Sequence, residues 1–146
     1  MIKPAHRIYL HIAWTTLGRR PMIDTPTRGF LEQFFRRVTI TEKVQLVALA
    51  ILRTHVHLLV RTPARFDLPH LVQVLKGGSS YEASRSPGNR LGLRWSREYS
   101  VDSVSPRALP AAIVYLRSQD LHHPGETIAP PTARQRSASP STRFSV

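Results

Sequence analysis

The sequence contains no cysteine, so disulfide bonds and thiolate metal sites are excluded. Any metal would have to be held by imidazole, carboxylate, amide or water ligands. No apolar stretch approaches the roughly 20 residues of a membrane-spanning helix, and residues 1–4 do not open an apolar leader. With 146 residues the chain has the length of one ordinary domain. We expect a cytoplasmic protein.

Acidic residues and lysines are both scarce. The chain carries 21 Lys and Arg against 9 Asp and Glu, a net charge of +12, and only Lys3, Lys43 and Lys76 are lysines. Because guanidinium groups bind phosphate oxygens in a planar, bidentate manner, nucleic acid is the natural partner. A solvated, arginine-rich surface that reflects a GC-rich genome is the alternative, and charge alone separates the two only slightly.

The first half of the chain predicts a strand, a helix and a hairpin. Residues 6–16 alternate apolar and polar side chains, which is typical of a half-buried strand. Asp24 or Thr25 then caps a helix that has Pro26 in its first turn. The apolar run 44–51 and the segment 55–61 are separated by a tight break, which indicates a hairpin.

The second half predicts a helix, an extended segment and a last helix. The helix over 67–85 is interrupted by Gly77-Gly78, the extended segment covers 93–104, and the last helix covers 107–122. The element order indicates an α+β fold, a ferredoxin-like β-α-β-β-α-β antiparallel sheet with an added C-terminal helix. We expect a domain over 1–123 and a disordered, basic, Pro- and Ser-rich tail over 124–146.

The candidate metal ligands are His55 and His57, which flank Val56. On a strand, residues i and i+2 point to the same face, so the two imidazoles project together and can converge on one divalent cation. Such a cation can polarise a phosphodiester. Two ordinary strand histidines are the alternative, because a lone pair of this kind is a weak signal and no acidic residue adjoins it.

The last helix carries a phenol and an amide four residues apart. Tyr115 and Gln119 therefore share one helical face. With the histidine pair, Tyr115 becomes a candidate nucleophile toward a backbone phosphate, and the Gln119 carbonyl oxygen a candidate third ligand. A partly exposed structural tyrosine is the alternative.

Taken together, these segments resemble the IS200-like, single-tyrosine transposases with an HUH (His-hydrophobic-His) motif, including the REP-associated tyrosine transposases. The resemblance covers nearly all of residues 6–123. Its segments are HIAWTTLGRRPMI, THVHLLV, LVQVLKGGSS, RWSREYSVDSVS and YLRSQDLHH. One departure is visible: members often have Met-Pro-Asp or Met-Pro-Asn before the first histidine, where this chain has Leu52-Arg53-Thr54, a change to the turn and not to the ligands.

The resemblance implies a ferredoxin-like fold, a Mg²⁺ or Mn²⁺ cofactor and action on single-stranded DNA at hairpin ends. It assigns His55, His57 and Gln119 as metal ligands and Tyr115 as the nucleophile that forms a 5′-phosphotyrosine. It also implies a homodimer in which the tyrosine helix of one subunit often completes the histidine site of the other. The sequence leaves the cis or trans arrangement open.

Further candidate contacts to DNA lie in the loop after the first strand, in the second helix and in the extended segment over 93–104. The structural alternatives are a solvated loop for Arg19 and Arg20, packing for the tryptophan, and helix packing or a helix break around the two glycines. These candidates are Arg19, Arg20, Lys76, Ser79, Trp95 and Arg97.

Three other functions compete with strand transfer. A non-catalytic single-strand binder with a ferredoxin-like fold is the main alternative, although the paired stacking aromatics of an RRM are not evident. A histidine phosphoesterase would need paired HxT or HxS motifs, which the sequence lacks. A domesticated relative that keeps the chemistry cannot be told from a mobile-element transposase by its residues.

Overall fold

Four strands form one antiparallel sheet in the computed structural model, which describes residues 7–85, 92–119 and 124–128. The strands are β1 (Ile8–Thr15), β2 (Gln45–Ile51), β3 (His55–Thr62) and β4 (Ser100–Val104), in the sheet order β2-β3-β1-β4. The helices are α1 (Thr25–Thr41), α2 (Leu68–Ser84) and α3 (Leu109–Arg117). This is the predicted ferredoxin-like α+β architecture, with the added C-terminal helix.

The pleat of the sheet separates its two faces by residue parity. Ile12 and Trp14 of β1 and Val56, Leu58 and Val60 of β3 face the main core, which α1 and α2 cover. The opposite face carries a second, smaller apolar cluster, in which Leu116 of α3 packs on Ala48 and Leu59. The helix with the candidate nucleophile and the candidate metal ligands therefore lie on the same side of the sheet.

Side-chain caps begin the two long helices, and the first of them is the predicted Asp24 cap. Asp24 Oδ1 accepts a hydrogen bond of 2.9 Å from the Thr27 N–H, so Asp24 is the N-cap of α1. Asp67 Oδ1 does the same for the His70 N–H at 3.0 Å at the start of α2. Between β2 and β3, the Leu52 N–H donates to the His55 carbonyl at 2.9 Å and closes the predicted hairpin.

Two parts of the second half differ from the prediction. Gly77-Gly78 does not interrupt α2, which runs continuously from Leu68 to Ser84. Gly78 instead lies against the Phe34 ring of α1, where a side chain would not fit. The extended segment over 93–104 forms a strand only from Ser100, and Trp95 makes an isolated bridge to Thr16. The predicted last helix ends earlier, at Arg117, and residues 120–123 lie outside the described part.

Beyond residue 123, the structure describes a short segment that packs on the domain. Pro124–Glu126 form a 3₁₀ turn, and Ile128 is buried in the main core. The Arg53 N–H donates to the Glu126 carbonyl at 3.0 Å. The folded part therefore extends at least five residues past the boundary that composition suggests. Disorder over 129–146 stays a prediction, since those residues lie outside the described part. In the described ranges, no helix combines the length and the apolar character needed to span a bilayer.

Candidate active site

The two histidines of β3 lie side by side at the start of the strand. Register places His55 opposite Thr15 and His57 opposite Ala13 of β1. Their ring centroids are 5.0 Å apart, and the rings are nearly perpendicular. They share a cleft of about 250 Å³, whose described lining consists of Ala13, Trp14, Thr15, Arg19, His55, His57 and Ser100. The predicted convergence of the two imidazoles on one space is present.

His57 is held from the neighbouring strand by His11. The His11 Nε2 and His57 Nδ1 atoms are 2.9 Å apart, and the two rings stack with centroids 5.1 Å apart. Burial lowers the pKa of His11, and the carboxylate of Asp102, its register partner on β4, partly opposes this shift. Neutral imidazole is the form that can coordinate a metal and share one hydrogen bond with a second ring.

His55 is held by the residue before it and by the segment after residue 123. Its Nδ1 lies 3.0 Å from Thr54 Oγ1 and 3.5 Å from Glu126 Oε2. The Thr54 hydroxyl also donates to Glu126 Oε1. The departure Leu52-Arg53-Thr54 thus supplies a hydroxyl that bonds the first histidine directly.

Arg19 brings positive charge to the rim of the cleft. Its backbone is in the left-handed region at φ 52°, directly after Gly18 at φ 62°. A non-glycine residue in this region has a conformational cost of about 1 kcal/mol, so this turn lowers the stability of the loop by about that amount. The Arg19 side chain is 62% exposed, and its Nη2 lies 4.0 Å from Glu126 Oε1. A phosphate that enters the cleft would meet this guanidinium.

The candidate nucleophile lies on the exposed side of α3. Tyr115 is 45% exposed, whereas Gln119 is fully buried just beyond the end of the helix. Gln119 Nε2 donates to the Tyr115 carbonyl at 3.2 Å, and its Oε1 has no hydrogen-bond partner among the described residues. Neither residue is among those that line the histidine cleft within this one chain.

Ser79 and Trp95, two of the predicted DNA contacts, are instead part of the packing. Ser79 is fully buried, and its hydroxyl accepts a 2.8 Å hydrogen bond from Trp95 Nε1. The Trp95 ring packs edge-on against Trp14 with centroids 5.7 Å apart. The prediction of a DNA contact is therefore wrong for Ser79, which DNA cannot reach, and Trp95 has the packing role that was its alternative.

Lys76 on α2 forms hydrogen bonds to the segment that precedes β4. Its Nζ donates to the Ser96 carbonyl at 2.5 Å and to the Glu98 carbonyl at 3.2 Å. Burial lowers the pKa of this ammonium group. In this conformation Lys76 is a structural clamp, whereas the side chains of Arg20 and Arg97 are exposed and accessible to a polyanion.

The donor set in the cleft fits a divalent cation that accepts nitrogen and oxygen ligands. Both imidazoles are engaged at Nδ1, His55 with Thr54 and His57 with His11, which is the usual arrangement behind metal-bound histidine. Among the described residues, no group of three His, Cys, Asp or Glu side chains could hold a metal. The described residues therefore supply no third ligand of these four types beside the histidine pair.

Two of these contacts are not apparent in the sequence pattern. His11 shares the parity of Ala13 and Thr15, but only the register of β1 on β3 brings it to His57. Glu126 lies in a stretch whose composition indicates a tail, and no periodicity signals that it folds back on the hairpin.

Fold and cleft together define a class: a ferredoxin-like, strongly basic protein whose sheet presents two imidazoles in a cleft with an arginine at its rim. The family model described as "Transposase IS200 like" matches residues 4–119. The chain therefore belongs to the IS200-like transposase family. No curated protein sequence matches it.

Solved structures share the fold, and two of them are similar over most of this chain. A protein from Deinococcus radiodurans R1, described as a candidate transposase, is 24% identical, with a TM-score of 0.62, over 82% of this chain and 98% of its own. A REP-associated tyrosine transposase bound to a REP hairpin is 12% identical, with a TM-score of 0.66, over 84% of this chain and 72% of its own. At these identities the likeness is one of fold.

Proposed function

We propose that this transposase cleaves and rejoins single-stranded DNA, with Tyr115 as the nucleophile and a divalent cation bound by His55, His57 and Gln119. The observation that carries the proposal is the cleft in which two imidazoles of one strand lie side by side with Arg19 at the rim. Membership of the IS200-like family supports it, because a polyanionic DNA strand is then the substrate of this basic protein.

The reaction would be a transesterification that conserves the number of phosphodiester-type bonds. The Tyr115 oxygen attacks a backbone phosphorus, and a bond forms between them while the bond from phosphorus to the 3′ oxygen breaks. The phenol proton leaves to solvent, and the departing 3′ oxygen takes up a proton to become a 3′-hydroxyl. A 5′-phosphotyrosine remains, so attack by another 3′-hydroxyl reverses the step and joins strands without ATP.

The chain's own groups would bind and orient the phosphate. His55 and His57 line the cleft and would hold the cation there, and Arg19 at the rim would attract the strand. Gln119 would add an amide oxygen; this assignment rests on the family resemblance alone, because the residue is fully buried and does not line the cleft of its own chain. When bound, Mg²⁺ or Mn²⁺ would supply charge that stabilises the developing negative charge on the phosphate oxygens.

We further propose hairpin-ended single-stranded DNA as the partner and a homodimer as the working unit. The REP-associated neighbour is bound to a REP hairpin, which makes DNA of this kind the first substrate to test. The exposed face of α3, with Val114 65% and Tyr115 45% exposed, supports a second copy as its partner. Exposed Arg20 and Arg97 are proposed backbone contacts. A chromosomal substrate agrees with a cytoplasmic location.

The test is incubation of the full chain with single-stranded flanks of its own gene and Mn²⁺. We expect a covalent protein–DNA adduct at the 5′ side of the cut, visible on denaturing gels, and its loss in Tyr115→Phe and on chelation of the metal. Tyr81→Phe is the matched control, because Tyr81 is also exposed but lies on α2. An adduct that survives Tyr115→Phe would show that the nucleophile is assigned wrongly. Binding without any adduct would favour the non-catalytic single-strand binder.

A further inference from the structure

The hydrogen bonds around His55 fix which of its ring nitrogens carries the proton. A carboxylate only accepts, so the contact between Thr54 Oγ1 and Glu126 Oε1 uses the single hydroxyl proton of Thr54. The Thr54 oxygen can then only accept from His55 Nδ1, which lies 3.0 Å away. His55 is therefore protonated at Nδ1 when neutral, and Nε2 keeps the lone pair that a metal needs.

Glu126 is brought to this place by contacts that do not involve its side chain. Its backbone carbonyl accepts from the Arg53 N–H at 3.0 Å, and the Thr127 carbonyl accepts from Arg53 Nε at 3.1 Å. Ile128 is 5% exposed in the main core, and its carbonyl accepts from Arg28 Nη1 at 3.3 Å. Because the backbone and Ile128 dock the segment, the Glu126 carboxylate can be changed while the segment keeps its position.

The carboxylate also lies close to the ring itself. Glu126 Oε2 is 3.5 Å from His55 Nδ1, on the same ring atom that faces Thr54. A hydroxyl and a carboxylate thus share the Nδ1 side, and both favour a proton there. Carboxylates in this relation to a metal-binding histidine fix its tautomer and orientation and raise its basicity.

We propose that Glu126, acting through Thr54, is a positioning residue that holds His55 in the Nδ1–H tautomer and presents Nε2 to the divalent cation. This inference rests on the proposed function for the identity of the cation, but not for the tautomer. It also gives the segment 124–128 a role: it supports the first histidine from behind the hairpin.

The first measurement needs no metal. In full-length protein with ¹⁵N-labelled histidine, at a pH at which the imidazoles are neutral, long-range ¹H–¹⁵N spectra distinguish the two tautomers. We expect His55 in the Nδ1–H form in the wild type and a mixture with the Nε2–H form in Glu126→Ala and Thr54→Val. The matched control is Glu42→Ala, which removes a carboxylate 3.3 Å from the exposed His70 and should leave the His55 signals unchanged.

The second measurement is a calorimetric titration with Mn²⁺. Glu126→Ala and Thr54→Val should weaken Mn²⁺ binding by about 10- to 100-fold, whereas Glu126→Gln, which keeps an acceptor oxygen, should lose less. Glu42→Ala should bind as the wild type does. A purely structural role of Glu126 would lower the melting temperature and leave both the tautomer and the affinity of the folded protein unchanged.

The outcomes separate the two proposals. A wild type that binds no Mn²⁺ contradicts the proposed metal-dependent function, while the tautomer measurement still tests the hydrogen-bond chain. A wild type that binds Mn²⁺, with Glu126→Ala equal to it in tautomer and affinity, overturns the present inference alone. His55 found in the Nε2–H form in the wild type overturns it as well.

Discussion

At the scale of single residues, burial and Asp102 together set the pKa of His11, the imidazole that contacts His57. Burial places the pKa of His11 below its ordinary value of 6.5, and Asp102 raises it part of the way back. At neutral pH His11 is therefore uncharged. Its Nε2 can then accept a hydrogen bond from His57 Nδ1, 2.9 Å away.

The sign of the resulting pH dependence follows from the direction of this shift. Since the folded pKa of His11 is below 6.5, the unfolded chain binds more protons as the pH falls through that value. The contribution of His11 to stability is complete above pH 6.5 and is lost progressively below it. Asp102→Asn removes the charge that raises the pKa of His11, so the folded pKa should fall further. The protein should then lose more of its free energy of unfolding as the pH falls below 6.5.

Both effects can be measured on the metal-free protein. NMR titration of the His11 ring protons gives its pKa, and urea unfolding at several pH values gives the stability. Glu98→Gln is the control, because Glu98 is an acidic residue of the same segment that does not contribute to the His11 shift. An Asp102→Asn variant in which the His11 pKa stays the same or rises would contradict the assignment.

At the scale of elements, the close approach of α1 and α2 depends on one glycine of the pair. A Cβ built on Gly78 would lie 2.8 Å from Phe34 Cζ, whereas one on Gly77 meets nothing within 4 Å. Phe34 is 3% exposed and so has little room to move. Gly78→Ala should therefore cost about 1–3 kcal/mol by overpacking, while Gly77→Ala should gain up to about 1 kcal/mol of helix propensity.

Urea unfolding of the two variants measures this difference directly, and the pair is its own control because both changes add the same methyl group to the same helix. If the glycines served DNA approach instead, Gly78→Ala would keep its stability and lose DNA affinity. A Gly78→Ala protein as stable as Gly77→Ala would show that the helices can separate at no cost.

The elements that could be predicted are those whose pattern is local. The alternation of Ile12 and Trp14 in β1, the parity of His55 and His57, and the Asp24 cap each depend on a few neighbouring residues. Contacts between distant segments could not be predicted, because no local signal encodes them. The need for glycine at position 78 depends on Phe34 of another helix, and the carboxylate that accepts a hydrogen bond from Thr54 belongs to a residue 72 positions further along the chain.

The same distinction applies to the candidate site. The parity of His55 and His57 predicted that they share a cleft. The burial of Ser79 against Trp95 is a tertiary contact that the sequence pattern does not reveal, and it makes Ser79 a packing residue and not a DNA contact. The stripe of Tyr115 and Gln119 was predicted from helical spacing, yet their different burial follows from how α3 packs on β2, which spacing alone does not reveal.

At the scale of the whole molecule, the net charge of +12 predicts salt-dependent binding to DNA, and the fold predicts which face binds. The histidine cleft and Arg19 lie on the face of the sheet away from α1 and α2. Arg19→Gln should therefore weaken binding to a single-stranded hairpin flank and reduce the slope of log affinity against log salt by about 0.7.

The matched control for this charge change is Arg37→Gln on α1. Arg37 is as exposed as Arg19 at 62%, but it pairs with Glu82 at 2.8 Å on the helical face. It should leave both the affinity and the salt slope close to the wild-type values. DNA affinity is measured by fluorescence anisotropy. If both variants lose the same affinity, binding depends on the net charge of the protein and not on the face that carries the cleft.

The placement of Tyr115 outside the cleft of its own chain makes subunit exchange the sharpest test of the assembly. In a dimer with shared sites, a mixture of Tyr115→Phe and His57→Ala chains forms hybrids in which one site has both an intact tyrosine and an intact histidine pair. Random mixing of a symmetric dimer should then restore about a quarter of wild-type adduct formation, although each variant alone forms none.

The adduct should appear only on the His57→Ala chain, because that chain supplies the tyrosine, and a mass tag on one variant identifies it. If instead each chain completes its own site, the mixture stays inactive, since no chain carries both groups. The exposed Tyr115 and Val114 on the outer face of α3 favour the first result.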